Sequence, residues 1–387
     1  MSLLLWFTRL YTIAGSIFLT IILLLVLTSA GFYLLEKLSG PDLGRINPKV
    51  HDRIVARKRT DLSTVYPQYT NDEVDALLVE TWSRPVGYEA FTQFRERPFN
   101  GHYINVSSKG FRYIEKQAAW PPRVNSFNIF VFGGSTTFGY GVADSETIPS
   151  QLQKELRQQL PNRKIAVYNF GRSYYYSTQE RVLYEQLLAD GHRPHLALFI
   201  DGINEYHNER NLPGLTKQLT RYVDSMTPEK TIRRLIADLN GNMATLVAGF
   251  SKDNPLKEKW KSREQLVDAV NSTYLANIKL ITAASRANEV EPVFVWQPSP
   301  TYRYDQDYNL FRMDNENVVR NTQAGFDLMR PKFTTTATTH NNRLWLADIQ
   351  EEIKRPLYVD GVHYSADMSH MIATAIATWI VDKKLIK

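Results

Sequence analysis

From Leu10 to Leu35 the chain reads LYTIAGSIFLTIILLLVLTSAGFYLL, with no charged side chain in the run. At about 1.5 Å of rise per residue, a helix over this run outreaches the ~30 Å hydrocarbon core of a bilayer. Residues 1–38 are therefore expected to form an N-terminal transmembrane anchor. A cleaved signal peptide is the rival reading, because Thr28, Ser29 and Ala30 offer small residues for a peptidase. The apolar run continues past them through Phe32, Tyr33, Leu34 and Leu35, which is long for a signal h-region and favours an uncleaved anchor. Only Arg9 stands before the run, whereas Lys37, Arg45, Lys49, Arg53, Arg57, Lys58 and Arg59 follow it. A positive-inside count keeps the C-terminal body in the cytoplasm, yet large domains translocate largely regardless of charge, so both orientations stand.

Residues 39–126 read as a spacer followed by a prefix. The stretch to about Leu78 is polar, charged and poorly periodic, with room for short helical pieces. Trp82, Tyr88, Phe91, Phe94, Phe99, Tyr103, Phe111, Tyr113 and Trp120 then crowd one segment, and rings of that size need a surface to pack on. The prefix is expected to dock on the main domain.

From Phe127 short apolar runs alternate with longer amphipathic ones, the pattern of an α/β domain. NIFVF, IAVYNF, LALFI, PVFVWQ and RLWLAD read as strands. Helices are expected over IPSQLQKELRQQL, STQERVLYEQLLADG, EQLVDAVNSTYLANIKLITAASRAN and SADMSHMIATAIATWIVDKKL. The expected fold class is α/β, a flavodoxin-like, doubly wound, parallel five-stranded sheet over residues 127–387, which places ligands at the carboxyl ends of its strands. Insertions near 205–263 and 302–342 break the alternation. Within the first, TIRRLIADLNGNMATLVAGF has its apolar residues on one helical face and is expected to lie on the core, beside any site at the end of the third strand.

The chain has no cysteine, which removes thiol catalysis, disulfides and cysteine metal sites. Its net charge of +6 comes from interleaved basic and acidic residues, so nucleic acid is not an expected partner. Between His207 and Arg263 eleven Lys and Arg face six Asp and Glu; this excess reads as a solvated face, with an anionic substrate as the alternative.

Polar residues cluster at the strand ends: Ser135 after the first, GRSYYYS after the second, Asp201 and Asn204 after the third, QPSPTY after the fourth, and Asp360 with His363 after the fifth. A serine, a histidine and a carboxylate on one rim are the makings of a nucleophile, its base and the base's orienter. Asn204 adds a neutral donor for an oxyanion. The glycine-rich turn GGSTTFGYG is not a P-loop, since Gly139 is followed by Tyr140 and not Lys, nor does it spell G-x-G-x-x-G. Thr137 stands at the last glycine of G-x-S-x-G, which excludes that nucleophile elbow. His192 and His195 precede the third strand, at the far end of the sheet, and read as loop residues.

Taken together in order, these blocks resemble the SGNH (GDSL-like) hydrolase superfamily, over about Phe127 to the C-terminus. FVFGGSTTFGYGV is similar to its first block, with Gly134 where the family often has Asp. YNFGRSYYYSTQE resembles the second, with Asn169 and Gly171 kept and Tyr174 at the last glycine. DGIN resembles the third, with Gly202 and Asn204 kept and Glu205 for Asp, and DGVH resembles the last.

The resemblance implies Ser135, His363 and Asp360 as the catalytic set, and the N–H groups of Ser135 and Tyr174 with the Asn204 amide as the oxyanion hole. The Tyr174 side chain would crowd that hole. Gly134, Gly171, Gly202, Glu205 and His207 are expected to line the site, and no cofactor or metal is expected. The upstream YINVSSKGFR is similar to a prefix of bacterial members tied to surface polysaccharide. The expected protein is thus a single-pass inner-membrane serine esterase with a periplasmic domain, acting on an acylated, for example acetylated, envelope glycan. A lipid esterase or thioesterase, a glycan acyltransferase, and a degenerate scaffold that only binds remain as alternatives.

Overall fold

The computed structural model describes residues 3–38, 62–207, 262–313, 315–335 and 342–386, together with residues 212, 213, 216 and 219. The segment TIRRLIADLNGNMATLVAGF lies outside the described residues. The chain divides into two units, Met1–Asp52 and Arg53–Lys387.

In the first unit, helix α1 spans Leu3–Leu38, and its stretch Tyr11–Gly31 is long and apolar enough to cross a membrane. Two threonines of that stretch turn their hydroxyls back on the helix: Thr20 Oγ1 donates to the Ser16 carbonyl at 2.8 Å, and Thr28 Oγ1 to the Leu24 carbonyl at 2.7 Å. Neither leaves an unmade hydrogen bond for hydrocarbon to penalise.

The second unit is built on β5 (Phe127–Gly133), β6 (Ile165–Asn169), β7 (Leu196–Asp201), β8 (Glu291–Trp296) and β9 (Arg343–Trp345). They form one parallel sheet in the order β6-β5-β7-β8-β9. The second strand lies outside the first, so the order is the flavodoxin-like 2-1-3-4-5 that the sequence leads one to expect. Central strands such as LALFID are buried at every residue, the mark of a sheet covered on both faces. On one face α4 (Ile148–Gln159) packs with α9 (Ala366–Asp382) over the aliphatic side chains of β5, β7 and β8. On the other lie α5 (Ser177–Ala189), α7 (Arg263–Ala287) and α8 (Glu316–Thr334), over an aromatic core that includes Phe132, Phe199, Phe294 and Trp296.

Before the sheet come α2 (Asn71–Ser83), the hairpin β1 (Val86–Glu89) and β2 (Gln93–Glu96), and the short pair β3 (Phe99–Asn100) and β4 (Asn105–Val106). Helix α2 starts on a capping box, Thr70 and Glu73 satisfying each other's backbone. The Arg112 N–H donates to the Asn169 carbonyl at 2.9 Å, joining this segment to the edge strand β6. The Arg112 side chain is fully buried and donates to the carbonyls of Phe138, Gly139 and Val142 and to Asp144. Phe111 and Trp120 meet Tyr168 and Phe170 ring to ring. The segment before Phe127 is thereby wedded to the core through polar and apolar contacts alike.

Candidate active site

Strand β5 ends at Gly133, and Gly134 caps the one-turn helix α3 (Ser135–Phe138), which Gly139 closes in the left-handed conformation at φ 94°. This sharp strand-to-helix turn sets Ser135 on the carboxyl rim of the sheet. Two glycines permit the neighbouring loops to approach it. A Cβ on Gly134 would stand 2.1 Å from Asn204 Nδ2, and one on Gly171 would stand 2.4 Å from the Phe138 nitrogen. Neither position can carry a side chain without moving the Asn204 amide or the backbone of α3.

Ser135 Oγ lies 2.8 Å from His363 Nε2. On the other side of the ring, His363 Nδ1 is 2.8 and 2.9 Å from the two oxygens of Asp360. Asp360 Oδ1 also accepts from the backbone N–H groups of Val362 and His363, each at 2.8 Å, which fixes the carboxylate. A carboxylate can only accept, so Nδ1 carries the proton and the Nε2 lone pair faces the serine hydroxyl. Ser135 and His363 are 9% and 8% exposed, dry enough to strengthen these contacts and open enough for a substrate carbonyl to arrive.

Asn204, on α6 (Ile203–His207), donates Nδ2 to the Tyr175 carbonyl at 2.7 Å. That bond uses one amide hydrogen and leaves the other. Tyr174 sits at φ 57°, the left-handed region favoured by glycine, the residue that the resemblance assigns to this position. Its ring is 60% exposed and is buried in no core. The N–H groups of Ser135 and Tyr174 have no hydrogen-bond acceptor among the described residues. His207 Nδ1 lies 3.2 Å from the Ile203 carbonyl, and burial lowers its pKa, with the proximity of His363 adding to the fall.

Glu205, expected to line the site, is instead buried and turned away. Its two oxygens accept from Ser177 N at 2.7 Å and Ser177 Oγ at 3.0 Å, capping helix α5. It belongs with Asp201 and Glu180 to a group of carboxyls beneath the rim. Burial pushes Asp201 up to about 7 and Glu205 up to about 8, and raises Glu180 well above the usual carboxylate range. Gly202 packs against Gln297 and Phe326, supporting the turn from below. His195 stands just before β7, its Nδ1 accepting from Asn128 N near the start of β5 at 3.0 Å, the far end of that strand from Ser135.

Nothing in the sequence points to the wall around His363. The Tyr140 ring stacks on the imidazole at 5.4 Å and 23°, and the Trp82 indole meets it edge-on at 5.6 Å. The two rings touch each other at 5.1 Å. Tyr140 donates its hydroxyl to Glu96 at 3.1 Å, and burial, aided by that carboxylate, raises its pKa. Arg84 lies over Phe138 at 4.9 Å and Tyr140 at 5.3 Å. Trp82, Arg84 and Glu96 all come from the segment before the sheet, and no spacing in the sequence links them to His363. Among the described residues no group of three or more His, Asp or Glu side chains is arranged to hold a metal ion.

No family model and no curated protein matches the chain. Among solved structures it is similar to an acetylxylan esterase from Geobacillus stearothermophilus, at 14% identity over 67% of this chain and 96% of that one, TM-score 0.37. It is also similar to a psychrotrophic esterase from Pseudoalteromonas, at 12% identity over 68% of this chain and 100% of that one, TM-score 0.36. A lipase from a goat rumen metagenome matches at 11% identity over 65% of this chain and 97% of that one, TM-score 0.39. At such identities and scores the likeness assigns neither a substrate nor a role to any residue of this chain.

Proposed function

We propose that the protein is a serine esterase of the SGNH (GDSL-like) type, with Ser135 as nucleophile, His363 as general base and Asp360 as its orienter. The observation that carries this reading is the unbroken line from Ser135 Oγ to His363 Nε2 at 2.8 Å and from His363 Nδ1 to Asp360 at 2.8 Å. As Ser135 attacks an ester carbonyl, its proton passes to Nε2 and the carbonyl oxygen becomes an oxyanion. The Ser135 and Tyr174 N–H groups and the free Asn204 amide hydrogen receive that charge. Collapse expels the alcohol, which takes the proton from His363, and leaves an acyl-serine. Water, deprotonated by the same histidine, then releases the acid; a sugar hydroxyl in its place would make the enzyme a transferase.

The substrate we favour is an acylated glycan of the bacterial envelope, with α1 as a single inner-membrane span and the catalytic unit in the periplasm. Support for the span is the apolar stretch Tyr11–Gly31, and support for the glycan is the prefix YINVSSKGFR. A fluorophosphonate probe should label the purified protein at Ser135, and Ser135→Ala should abolish labelling and the hydrolysis of a short acyl ester. A correctly folded wild type that takes no label would remove the esterase reading.

A further inference from the structure

A second concavity opens on the same rim. The loop after β8 and the first turns of α8 enclose a cleft of about 520 Å³, within the ~300–1,000 Å³ typical of small-ligand sites. It adjoins the catalytic loop. Gly361, the neighbour of Asp360, forms part of its wall, and a Cβ there would stand 3.8 Å from the Arg312 carbonyl oxygen and from Met313 Cα. The opposite link runs through Thr136, beside Ser135, whose hydroxyl donates to Gln297 at 2.8 Å, just before the Pro300 and Thr301 that line the cleft.

The lining mixes apolar and polar surface, and its charge is mainly basic. Arg303, Arg312 and Arg320 face the cleft along with the amides of Gln306, Asn309 and Gln323, against one carboxylate among the described residues, Glu316. Arg320 is paired with Glu316 at 3.2 Å, and Arg303 with Glu351 at 3.1 Å. Arg312 is exposed and has no carboxylate partner among the described residues. A guanidinium is a rigid fork that fits a carboxylate in two parallel hydrogen bonds, and side-chain amides supply both donors and acceptors for hydroxyls. Pro300, Tyr304, Met313 and Val319 add an apolar side to the cleft, a surface on which the carbon faces of sugar rings can lie while their hydroxyls meet the amides.

We infer that this cleft is a subsite for an acidic, carboxylate-bearing segment of a glycan, with Arg312 as its anchor. This rests on the reading of the rim as an esterase site and deepens it: the acid-bearing sugars of the chain lie in the cleft while an acylated hydroxyl nearby reaches Ser135.

The test separates binding from turnover by using probes that carry no acyl group. Full-length protein in detergent micelles is titrated with an oligogalacturonate and with a neutral galactan oligosaccharide of equal length, by calorimetry. The acidic oligomer should bind and the neutral one should not. Arg312→Ala should weaken acidic binding roughly tenfold, the value of one charge-assisted contact, and Arg312→Lys should recover part of it. Equal binding of both oligomers, no binding of either, or indifference to Arg312→Ala would overturn the subsite. Because the probes are not substrates, these results stand apart from labelling at Ser135, which alone decides the esterase reading.

Discussion

Raising the pH from ~5 to ~7 should destabilise the α/β unit through Glu180, Asp201 and Glu205, and Glu180→Gln should blunt the loss. All three carboxyls are almost wholly buried. Facing them are Tyr274, Tyr206, Tyr176 and Ser177, none of which carries a positive charge. Burial therefore holds Asp201 at about 7, Glu205 at about 8 and Glu180 well above its usual range, whereas an unfolded chain would ionise them near ~4. Between those limits the folded state binds more protons than the unfolded one, so stability is greatest below the unfolded pKa values and falls as pH rises towards the folded ones. Each carboxyl kept protonated contributes a slope of about 1.4 kcal/mol per pH unit. Glu180→Gln keeps the shape and removes one titration, so its stability should fall less steeply with pH than the wild type's, by at most the ~1.4 kcal/mol per pH unit of one carboxyl. Urea unfolding followed by tryptophan fluorescence, compared between the two proteins at each pH, cancels every other titrating group. Parallel stability curves would refute the reasoning, as would a wild type whose advantage grows with pH.

Three further outcomes are expected at the site and the anchor. Asn204→Ala should lower kcat on a short ester by about 10²–10³ if its free hydrogen meets the oxyanion, with KM far less affected; a change confined to KM would remove it from that role. Trp82→Ala takes away the edge packed on His363 and should reduce kcat by roughly ten- to a hundredfold through misplacement of the base, while Trp82→Phe recovers most of it. Equal stability and equal kcat for both variants would show that the ring does not position the imidazole. C-terminal alkaline phosphatase fusions should be active and green fluorescent protein fusions dark; the reverse would place the α/β unit in the cytoplasm.

The strands were legible because each is a short apolar run closed by a turn, and once the sheet is parallel its carboxyl rim collects Ser135, Asn204, Asp360 and His363. Helix α8 escaped notice because the face it buries includes Asn321, Thr322 and Gly325 along with Val318, Phe326, Met329 and Phe333. That dilutes the 3.6-residue apolar period on which sequence reading depends. Glu205 departs from the expected site lining for a geometric reason. A carboxylate one residue after Asn204 can turn to the mouth or back to the N-terminus of α5, and only the packing of α5 against the rim settles on Ser177. Trp82 and Tyr140 were out of reach altogether, since their contact with His363 joins three distant parts of the chain.

Tyr174 shows how that distant segment enters the chemistry. A bulky residue at φ 57° is disfavoured by about 1–2 kcal/mol, and a ring 60% exposed has little packing to offset this. The conformation persists because its neighbours are held on both sides. Arg172 N donates to the Gly133 carbonyl at 2.9 Å, while its guanidinium binds Glu89 at 2.8 Å. Ser173 N donates to Glu96 at 3.3 Å, Tyr175 OH to the Phe94 carbonyl at 2.5 Å, and the Tyr175 carbonyl accepts from Asn204. Glu89, Phe94 and Glu96 all belong to the β1–β2 hairpin. The hairpin thus fixes the loop that presents the proposed oxyanion donor, as Trp82 fixes the proposed base. Backbone strain at one rim residue and an aromatic edge at another are both sustained by residues that precede the sheet, so the segment before Phe127 acts as a wall of the site as well as a cover for the core.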